Sequence, residues 1–355
     1  MKTLRLVLDP NHLETLQAQD ALSRAAKLLR AGGTVALPTE TVYGLGANAL
    51  DEAAVGKIFA AKQRPAWDPV IVHIADEAML ANLTAEVPDS ARVLIQAFWP
   101  GPLTLLLQRS AAVPDIVTAG RPLVGVRMPA HPVAFELIRL AGVPIAAPSA
   151  NAFGHTSPTT AAHVLDDLDG RIDAVLDAGP TPRGIESTVL DPNRSPMVIY
   201  RPGAIAAEQI RDLAGAVEVF QSDRPLASSS RESLPSPGVG LRHYAPRARL
   251  VLVGGRREDL GRLIAETVYE MRDQRVGVML PQGIDCPRLP KSARIFPWGK
   301  WSALEEMARE LYAGLRKLDA QQCAAIVCPM PPQEGVGAAI RDRLIKAAAH
   351  SGSNS

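Results

Sequence analysis

Apolar residues between positions 18 and 220 alternate between the spacing of helices and that of buried strands. Leu22, Ala25 and Leu29 recur at helical intervals, and Gly32 and Gly33 end that helix. Further helices are predicted at 51–59, 131–140 and 159–168. Short apolar runs predict strands at 34–37, 70–74, 103–107, 123–126, 145–147, 174–176, 188–190 and 197–200. The alternation indicates an α/β domain over residues 1–220.

The pattern stops at residue 221. Residues 221–246 are rich in Pro, Gly and Ser, which is typical of an extended linker. Beyond them, predicted strands at 250–253, 276–280 and 324–327 alternate with amphipathic helices at 259–273 and 302–318. We therefore expect a smaller, Rossmann-like α/β domain with parallel strands over 247–349, followed by a frayed tail at 350–355.

The chain has 355 residues, of which 47% are hydrophobic, and this suits two packed domains. Its 38 basic and 37 acidic residues exclude a protein that is basic throughout, and 4% aromatic residues argue against a base-stacking surface. The balance conceals an asymmetry. Residues 1–240 hold 20 basic and 25 acidic side chains (net −5), whereas residues 241–355 hold 18 and 12 (net +6). Opposite signs favour docking of the two domains, with a local basic face left for a further partner.

Several features predict a cytoplasmic location. Asp9 and Pro10 interrupt the first apolar run before a signal-peptide core can form, and no apolar stretch approaches the ~20 residues of a membrane span. Three cysteines without a Cys-x-x-Cys pair suit small buried thiols better than disulfides or a zinc site.

Two common kinds of enzyme site find no support. Residues 44–49 match the dinucleotide pattern G-x-G-x-x-A, but six residues separate this motif from the preceding strand. No acidic residue ends a second strand about 20 positions later, so we do not assign a nicotinamide-dependent oxidoreductase. The first domain also lacks cysteine and a G-x-S-x-G turn, so it offers no covalent nucleophile.

Polar residues concentrate in the turns beside the predicted strands. Ligands in open α/β sheets bind beyond the carboxyl ends of strands, where cations, hydroxyls and helix N-termini hold anions. Four cations of the first domain are available for such a site: Lys62, Arg64, Arg127 and Arg201. They suit a nucleotide triphosphate together with a substrate that carries a carboxylate.

Several polar residues of the first domain also have a purely structural interpretation. Lys62 and Arg64 would be exposed charges at a helix end, and Arg127 would form a structural ion pair. Ser149 would cap a helix, and His73 would be a core histidine with its hydrogen bonds satisfied. Composition and spacing alone therefore indicate an anion-binding α/β domain with an appended domain.

Eight ordered segments of the first domain resemble one known family. They are PTETVYGLG (38–46), KQRP (62–65), WPGPLT (99–104), VRMP (126–129), SAN (149–151), SPTTA (157–161), ESTV (186–189) and RPG (201–203). The chain thereby resembles the YrdC-type L-threonylcarbamoyladenylate synthases. Residues 238–246 (GVGLRHYAP) are similar to the linker motif of the two-domain form of this family. The resemblance implies a YrdC-like twisted mixed sheet flanked by helices.

The resemblance also implies a reaction. L-threonine, bicarbonate and ATP would give threonylcarbamoyl-AMP, pyrophosphate and water, for threonylcarbamoyladenosine formation in tRNA by downstream transfer proteins. Mg²⁺ would enter with the ATP phosphates. The alternative, from another functional class, is a module that binds tRNA or double-stranded RNA and makes no adenylate, although the chain lacks an RNA-recognition signature.

Site residues follow from the same resemblance. Those expected to stabilise charge and position the reactants are Lys62, Arg64, Ser149 and Asn151. Those expected to contact threonine are Thr41, His73, Arg127, Ala147 and Ser187. Those expected to contact ATP are Arg64, Asp68, Leu123, Ser149, Ser157, Arg201 and Tyr244. No nucleophile is needed, because the carbamate formed from threonine attacks the α-phosphorus, so the protein positions anions and stabilises charge.

Two of these expectations concern unusual positions. Asp68 stands where the family usually has Asn, and a carboxylate would repel a triphosphate, so we expect Asp68 to point away or to contact Mg²⁺. Tyr244 lies in the linker, which could close over the first domain as a lid. A passive tether is the alternative for this segment.

Overall fold

The computed structural model describes residues 2–220, 236 and 244–349. The chain divides into two compact units. The first comprises Met1–Phe153, Ser157–Pro182 and Glu186–Gly240, and the second comprises Gly154–Thr156, Arg183–Ile185 and Leu241–Ser355. The linker boundaries at 221–246 and the tail at 350–355 stay predictions, because most of these residues lie outside the described ranges.

The described part of the first unit contains twelve strands and eight helices. The strands are β1 (Leu4–Val7), β2 (Val35–Pro38), β3 (Tyr43–Asn48), β4 (Ile71–His73), β5 (Thr84–Glu86), β6 (Leu103–Arg109), β7 (Leu123–Arg127), β8 (Ile145–Ala146), β9 (Ala174–Asp177), β10 (Thr188–Asp191), β11 (Met197–Arg201) and β12 (Val217–Val219). The helices are α1 (Leu16–Arg30), α2 (Glu52–Lys62), α3 (Glu77–Leu83), α4 (Asp89–Phe98), α5 (Asp115–Thr118), α6 (Pro132–Ala141), α7 (Ala161–Leu168) and α8 (Ala207–Ala214).

These strands form one mixed sheet, in the order β1-β9-β2-β3-β8-β4-β7-β6-β10-β11-β12, with β5 paired to β6. Parallel pairs such as β4–β7 and β6–β10 alternate with antiparallel pairs such as β6–β7 and β10–β11. The predicted mixed sheet with flanking helices is therefore confirmed. All eight predicted strands form, and β1, β3, β5 and β12 are additional.

Strand β3 explains the false dinucleotide motif. Residues 44–48 of that motif are strand rather than a phosphate loop. Gly46 is required by packing, because a Cβ there would lie 2.8 Å from Ile145 Cγ2 and 2.9 Å from Leu37 Cδ2. Glycine spacing thus reflects close contact between strands at this position.

Both faces of the sheet are buried. Along β2, Val35 and Leu37 pack into one apolar cluster, which also holds the inner faces of α1 and α6, whereas Ala36 packs into the other cluster. This alternation follows from the two-residue period of strand side chains. Helix α2 begins as predicted, since the Asp51 side chain accepts a hydrogen bond from the Ala54 amide.

The second unit is a smaller parallel α/β domain, as predicted. Its strands are β13 (Arg249–Val253), β14 (Val276–Gln282), β15 (Arg294–Lys300) and β16 (Ala325–Pro329), and its helices are α9 (Arg257–Glu270), α10 (Leu304–Ala320) and α11 (Gly337–Ala348). All pairs in the order β13-β16-β14-β15 are parallel. Sequence analysis missed β15, because its exposed and buried residues alternate without a continuous apolar run.

Within the described residues, no helix combines the length and apolar character needed to cross a membrane. Cys323 and Cys328 are buried free thiols, as predicted, whereas Cys286 is only half-buried.

Two glycines in helix interiors should respond oppositely to alanine. A Cβ at Gly261 in α9 would lie 1.8 Å from the Asp285 carbonyl oxygen, whereas a Cβ at Gly56 in α2 meets nothing within 4 Å. We expect Gly261→Ala to lower the free energy of unfolding by about 2–3 kcal/mol and Gly56→Ala to raise it by about 0.5–1 kcal/mol. Urea unfolding of both variants tests this. A neutral or stabilising Gly261→Ala would show that α9 does not pack against residue 285 as described.

Candidate functional site

Polar residues on four of five neighbouring strands lie at one level, and Val189 of β10 is the apolar fifth member of the row. His73 pairs in register with Arg127 across β4 and β7, and Val189 of β10 pairs with both Thr104 of β6 and Arg201 of β11. The β6–β7 register, which pairs Leu105 with Val126, places Thr104 beside Arg127. Residues directly opposite each other on neighbouring strands share a face of the sheet. Two of the expected threonine contacts, His73 and Arg127, therefore lie on the same face as one expected ATP contact, Arg201.

Arg127 contacts three polar partners. Its Nε donates to the Gly101 carbonyl oxygen (3.1 Å), and its Nη1 donates to Thr41 Oγ1 (3.0 Å). Its Nη2 lies 2.6 Å from Glu40 Oε1. Thr41 and Arg127 belong to segments four strands apart, about 19 Å in a flat sheet. The loop after β2 therefore lies over the face of the sheet that carries Arg127.

Two hydroxyl groups of this loop contact each other. Thr39 Oγ1 lies 2.7 Å from the Val42 carbonyl oxygen and accepts from the amides of Thr41 (3.2 Å) and Val42 (3.3 Å). Thr41 Oγ1 lies 2.7 Å from Thr39 Oγ1, and either hydroxyl can be the donor in that contact. Arg127 donates to Thr41 Oγ1, which leaves this oxygen one further acceptor position for a ligand.

Charge and burial set the protonation of the neighbours of Arg127. Burial alone raises the pKa of Glu40, but the charge and hydrogen bond of Arg127 outweigh it, and the pKa is lowered overall. Burial, helped by the Arg127 charge, lowers the pKa of His73 to about 3. Glu40 is therefore ionised and His73 is neutral at physiological pH.

The side chain of Lys62 binds backbone carbonyl groups of the turn after β8. The Nζ of Lys62, the last residue of α2, donates to the Ser149 carbonyl oxygen (2.5 Å) and to that of Asn151. Burial and then the nearby Arg64 lower the pKa of Lys62 well below its usual value, while Asp68 and Asp167 act in the opposite direction. The interpretation of Lys62 as an exposed helix-end charge is wrong, because only 1% of the residue is accessible.

Asp68 forms an ion pair that neither sequence-based expectation included. Arg64 Nη2 lies 2.9 Å from Asp68 Oδ2, and the same guanidinium donates to the carbonyl oxygens of Asp68 (3.0 Å) and Pro69 (2.7 Å). Burial raises the pKa of Asp68, and Arg64, Lys62 and Arg201 partly offset that rise. The carboxylate is wholly buried against Arg64, which removes the repulsion expected toward an anion.

Ser187 joins an expected threonine contact to an expected ATP contact. Arg201 donates to the Ser187 carbonyl oxygen through Nε (3.1 Å) and Nη2 (3.0 Å), and to Ser187 Oγ through Nη2 (3.0 Å). Ser187 Oγ also lies 2.8 Å from Thr104 Oγ1. Close by in the chain, Ser157 Oγ donates to Glu186 Oε1 (2.7 Å).

The remaining expected contacts are dispersed. Ala147 is buried, and its amide donates to the Ile71 carbonyl oxygen (2.8 Å). Leu123 begins β7, and the register that pairs Ile71 with Gly125 places it at the Asp68 end of β4, opposite the His73 end. Tyr244 belongs to the second unit, where its ring stacks on Tyr312 at 5.8 Å, with Arg343 5.0 Å from the Tyr244 ring centre.

The helix-cap interpretation of Ser149 is wrong, because no helix starts there; Ser149 forms an isolated bridge with Gly44. The expectation that site residues lie beyond the carboxyl ends of strands holds for His73, Arg127 and Arg201. Asp68 precedes β4 and Leu123 begins β7, so both lie toward the amino ends of these strands. Because β4 and β7 are parallel, the two residues share one edge of the sheet.

Three residues of the site were not singled out by the sequence: Glu40, Thr104 and Glu186. Each lies inside one of the family-like segments, which was the available signal. Their partners, Arg127, Ser187 and Ser157, are more than 25 positions away in sequence. Side-chain pairing over such a separation cannot be obtained from local spacing.

The described residues contain no group of three or more His, Cys, Asp or Glu side chains that could hold a metal ion. Asp68, the one carboxylate suggested for Mg²⁺, faces Arg64. A divalent cation would therefore have to bring most of its ligands with it, as phosphates and water do.

Comparison with known proteins covers both units. A family model described as "Telomere recombination" (Sua5, YciO and YrdC) matches residues 27–203, and one described as "Threonylcarbamoyl-AMP synthase, C-terminal domain" matches residues 205–349. A threonylcarbamoyl-AMP synthase of Bacillus subtilis is 45% identical over 98% of both chains. One of Pyrococcus abyssi is 42% identical over 92% of this chain and 93% of its own.

A solved structure agrees with these sequences. The crystal structure of P. abyssi Sua5 complexed with L-threonine superposes with a TM-score of 0.87 at 39% identity, covering 99% of this chain and 98% of that one.

Neutral His73 should make the protein sensitive to acid. Its pKa of about 3 lies below the 6.5 of an unfolded histidine, so only the unfolded state gains a proton as the pH falls between these values. The free energy of unfolding then falls by about 1.4 kcal/mol for each pH unit below 6.5, or by about 2 kcal/mol at pH 5. We expect His73→Gln to reduce the stability difference between pH 7 and pH 5 by that amount, as measured by urea unfolding.

The control is His12→Gln, which removes an exposed histidine and should leave the difference unchanged. An undiminished pH difference in His73→Gln would show that His73 is not held neutral.

Proposed function

Because this chain belongs to the threonylcarbamoyl-AMP synthase family, we propose that it condenses L-threonine, bicarbonate and ATP to threonylcarbamoyl-AMP, pyrophosphate and water. The observation that carries the proposal is the gathering of the buried side chains of Lys62, Arg64, Arg127 and Arg201 on one unit. Buried cations are costly, so a site that keeps four of them suits anionic reactants. The L-threonine complex of a relative 39% identical supports the choice of amino acid.

The two ends of strands β4 and β7 suit the two larger substrates. His73 and Arg127 share one end, and Asp68, Leu123 and the neighbouring Arg64 share the other. Over a five-residue strand the ends are about 13 Å apart. We assign threonine to the Arg127 end and the nucleotide to the Arg64 end, so that the α-phosphate lies between them.

The chemistry requires positioning rather than a protein nucleophile. Bicarbonate and the threonine amine form a carbamate, whose oxygen attacks the α-phosphorus and displaces pyrophosphate. Lys62 and Arg201 offset the charge that develops on the phosphoryl oxygens. Arg127 holds the threonine carboxylate. Burial of these groups keeps water from the carbamate and the mixed anhydride.

Mg²⁺ is proposed as a companion of ATP, in which it would neutralise phosphate charge. The described carboxylates do not form a cage for it, which fits a cation held mainly by phosphates. We further propose a cytoplasmic location and delivery of the product to tRNA threonylcarbamoyl-transfer proteins. Tyr244 as an ATP contact and the linker as a lid remain part of this proposal.

Pyrophosphate release tests the proposed reaction. The full chain should release pyrophosphate from ATP only when both L-threonine and bicarbonate are present. Lys62→Met should reduce the rate by at least about 100-fold, since it removes a buried cation beside the reacting phosphate. Lys57→Met, which changes an exposed lysine of the same helix, is the matched control. Release without threonine, or tight tRNA binding without any release, would contradict the synthase in favour of another function.

Asp68→Asn distinguishes two roles for that carboxylate. If Asp68 only neutralises Arg64, the variant should bind ATP several-fold more tightly, because Arg64 is left with an uncompensated positive charge near the triphosphate. The Mg²⁺ concentration for half-maximal activity should then stay constant. If Asp68 contacts Mg²⁺, that concentration should rise instead. Titrations of ATP and Mg²⁺ measure both quantities, and a rise in the Mg²⁺ requirement would reject the neutralising role that the Arg64 contact supports.

A further inference from the structure

Nothing so far assigns a partner to the positive end of the amino acid. Threonine is a zwitterion at neutral pH, with a carboxylate and an ammonium group on the same carbon. We propose that Glu40 receives the α-ammonium group of the substrate, so that the Glu40–Arg127 ion pair forms a receptor for both charges. The inference rests on the proposed function and extends it to a residue without an assigned role.

Arg127 retains hydrogen-bond donors for a carboxylate. A guanidinium carries five N–H groups. Gly101 and Thr41 take one each, from Nε and Nη1, whereas Nη2 faces Glu40 in an ion pair at 2.6 Å and engages at most one N–H there. One N–H therefore remains on each terminal nitrogen, which matches the two oxygens of a carboxylate. The substrate carboxylate can bind without displacing Glu40.

The Glu40–Arg127 ion pair carries two opposite charges and no net charge. Glu40 and Arg127 are 8% and 4% exposed at their side chains and lie 2.6 Å apart, so together they are neutral. A neutral pair has no net attraction for an anion, but its separated charges complement a zwitterion. Because an amino acid keeps its two charges within about 3–4 Å of each other, both ends can meet the pair at once.

Within the described residues, Arg127 is the cation that lowers the pKa of the Glu40 carboxyl. Two histidines also sense its charge, His73 and His131, and burial lowers the pKa of each. Neither Glu40 oxygen has a hydrogen bond of good geometry to a described residue, so both keep acceptor positions. The Thr41 hydroxyl oxygen, which already accepts from Arg127, has a second acceptor position for the ammonium group.

The low pKa of Glu40 also limits its role. A carboxylate whose protonated form is disfavoured binds a cation well and removes a proton poorly. Glu40 is thus a binding residue, and the amine would lose its proton to another acceptor.

The test removes the charge from the protein and the ammonium group from the ligand. The ligand pair is L-threonine and (R)-3-hydroxybutanoate, which is threonine without its amine. Binding of each to the full chain and to Glu40→Gln is measured by calorimetry without ATP. We expect Glu40→Gln to weaken threonine binding about 10- to 100-fold but not to weaken the anionic analogue, whose carboxylate then faces an uncompensated Arg127 charge. Arg127→Gln, the matched control, should weaken both ligands because both carry the carboxylate.

Other outcomes are separable. Equal weakening of both ligands by Glu40→Gln would reduce Glu40 to a support for Arg127, and no weakening would exclude it from the site. Failure of the unaltered chain to bind threonine would overturn the proposed function before any variant is considered. If Glu40→Gln does not fold, Glu40→Asp replaces it: the shorter carboxylate should weaken threonine binding and spare the analogue.

Discussion

The buried ion pair between Glu40 and Arg127 holds the site together. It joins the loop after β2 to the end of β7, two segments that the strand order separates by four positions. Removing one partner of such a pair leaves the other charge buried and costs about 3–5 kcal/mol. The pair is therefore both a constraint on the fold and a feature of the site. The structural interpretation of Arg127 and its role in binding are compatible, because the side chain retains donors.

The other buried cations divide into two kinds by their partners. Arg64 and Arg127 face carboxylates, so each forms a neutral pair. Within the described residues, Lys62 and Arg201 are held by carbonyl and hydroxyl oxygens and face no carboxylate in ion-pair contact. Carbonyl dipoles stabilise a charge without cancelling it. The net positive potential of the site therefore originates at Lys62 and Arg201, where a phosphate would need it, and is absent at Arg127, where a zwitterion would bind.

Much of this architecture could be predicted from the sequence, and the part that could not has a common cause. Continuous apolar runs such as 103–107 and 123–126 identified their strands, because strands buried on both faces need no polar alternation. Strands β3 and β15 were missed because glycines or exposed residues interrupt them. The resemblance identified Arg127, Arg64 and Asp68 as site residues, but the ion pairs Glu40–Arg127 and Arg64–Asp68 emerge only in three dimensions. Local spacing cannot report the contacts that Glu40 and Thr41 make with Arg127. The sequence separation of Thr41 and Arg127, for example, is 86 positions.

The strand order explains why the site residues are scattered along the chain yet meet at one level. Parallel pairing of β4 with β7 aligns His73 with Arg127, and antiparallel pairing of β6 with β7 brings the beginning of one strand to the end of the other. Thr104, near the start of β6, thereby reaches the level of Arg127, at the end of β7. A fully parallel sheet would have placed these two residues at opposite edges. Mixed pairing thus allows strand beginnings and strand ends to contribute to one site, and the hydroxyl of Thr104 can fix Ser187 beside Arg201.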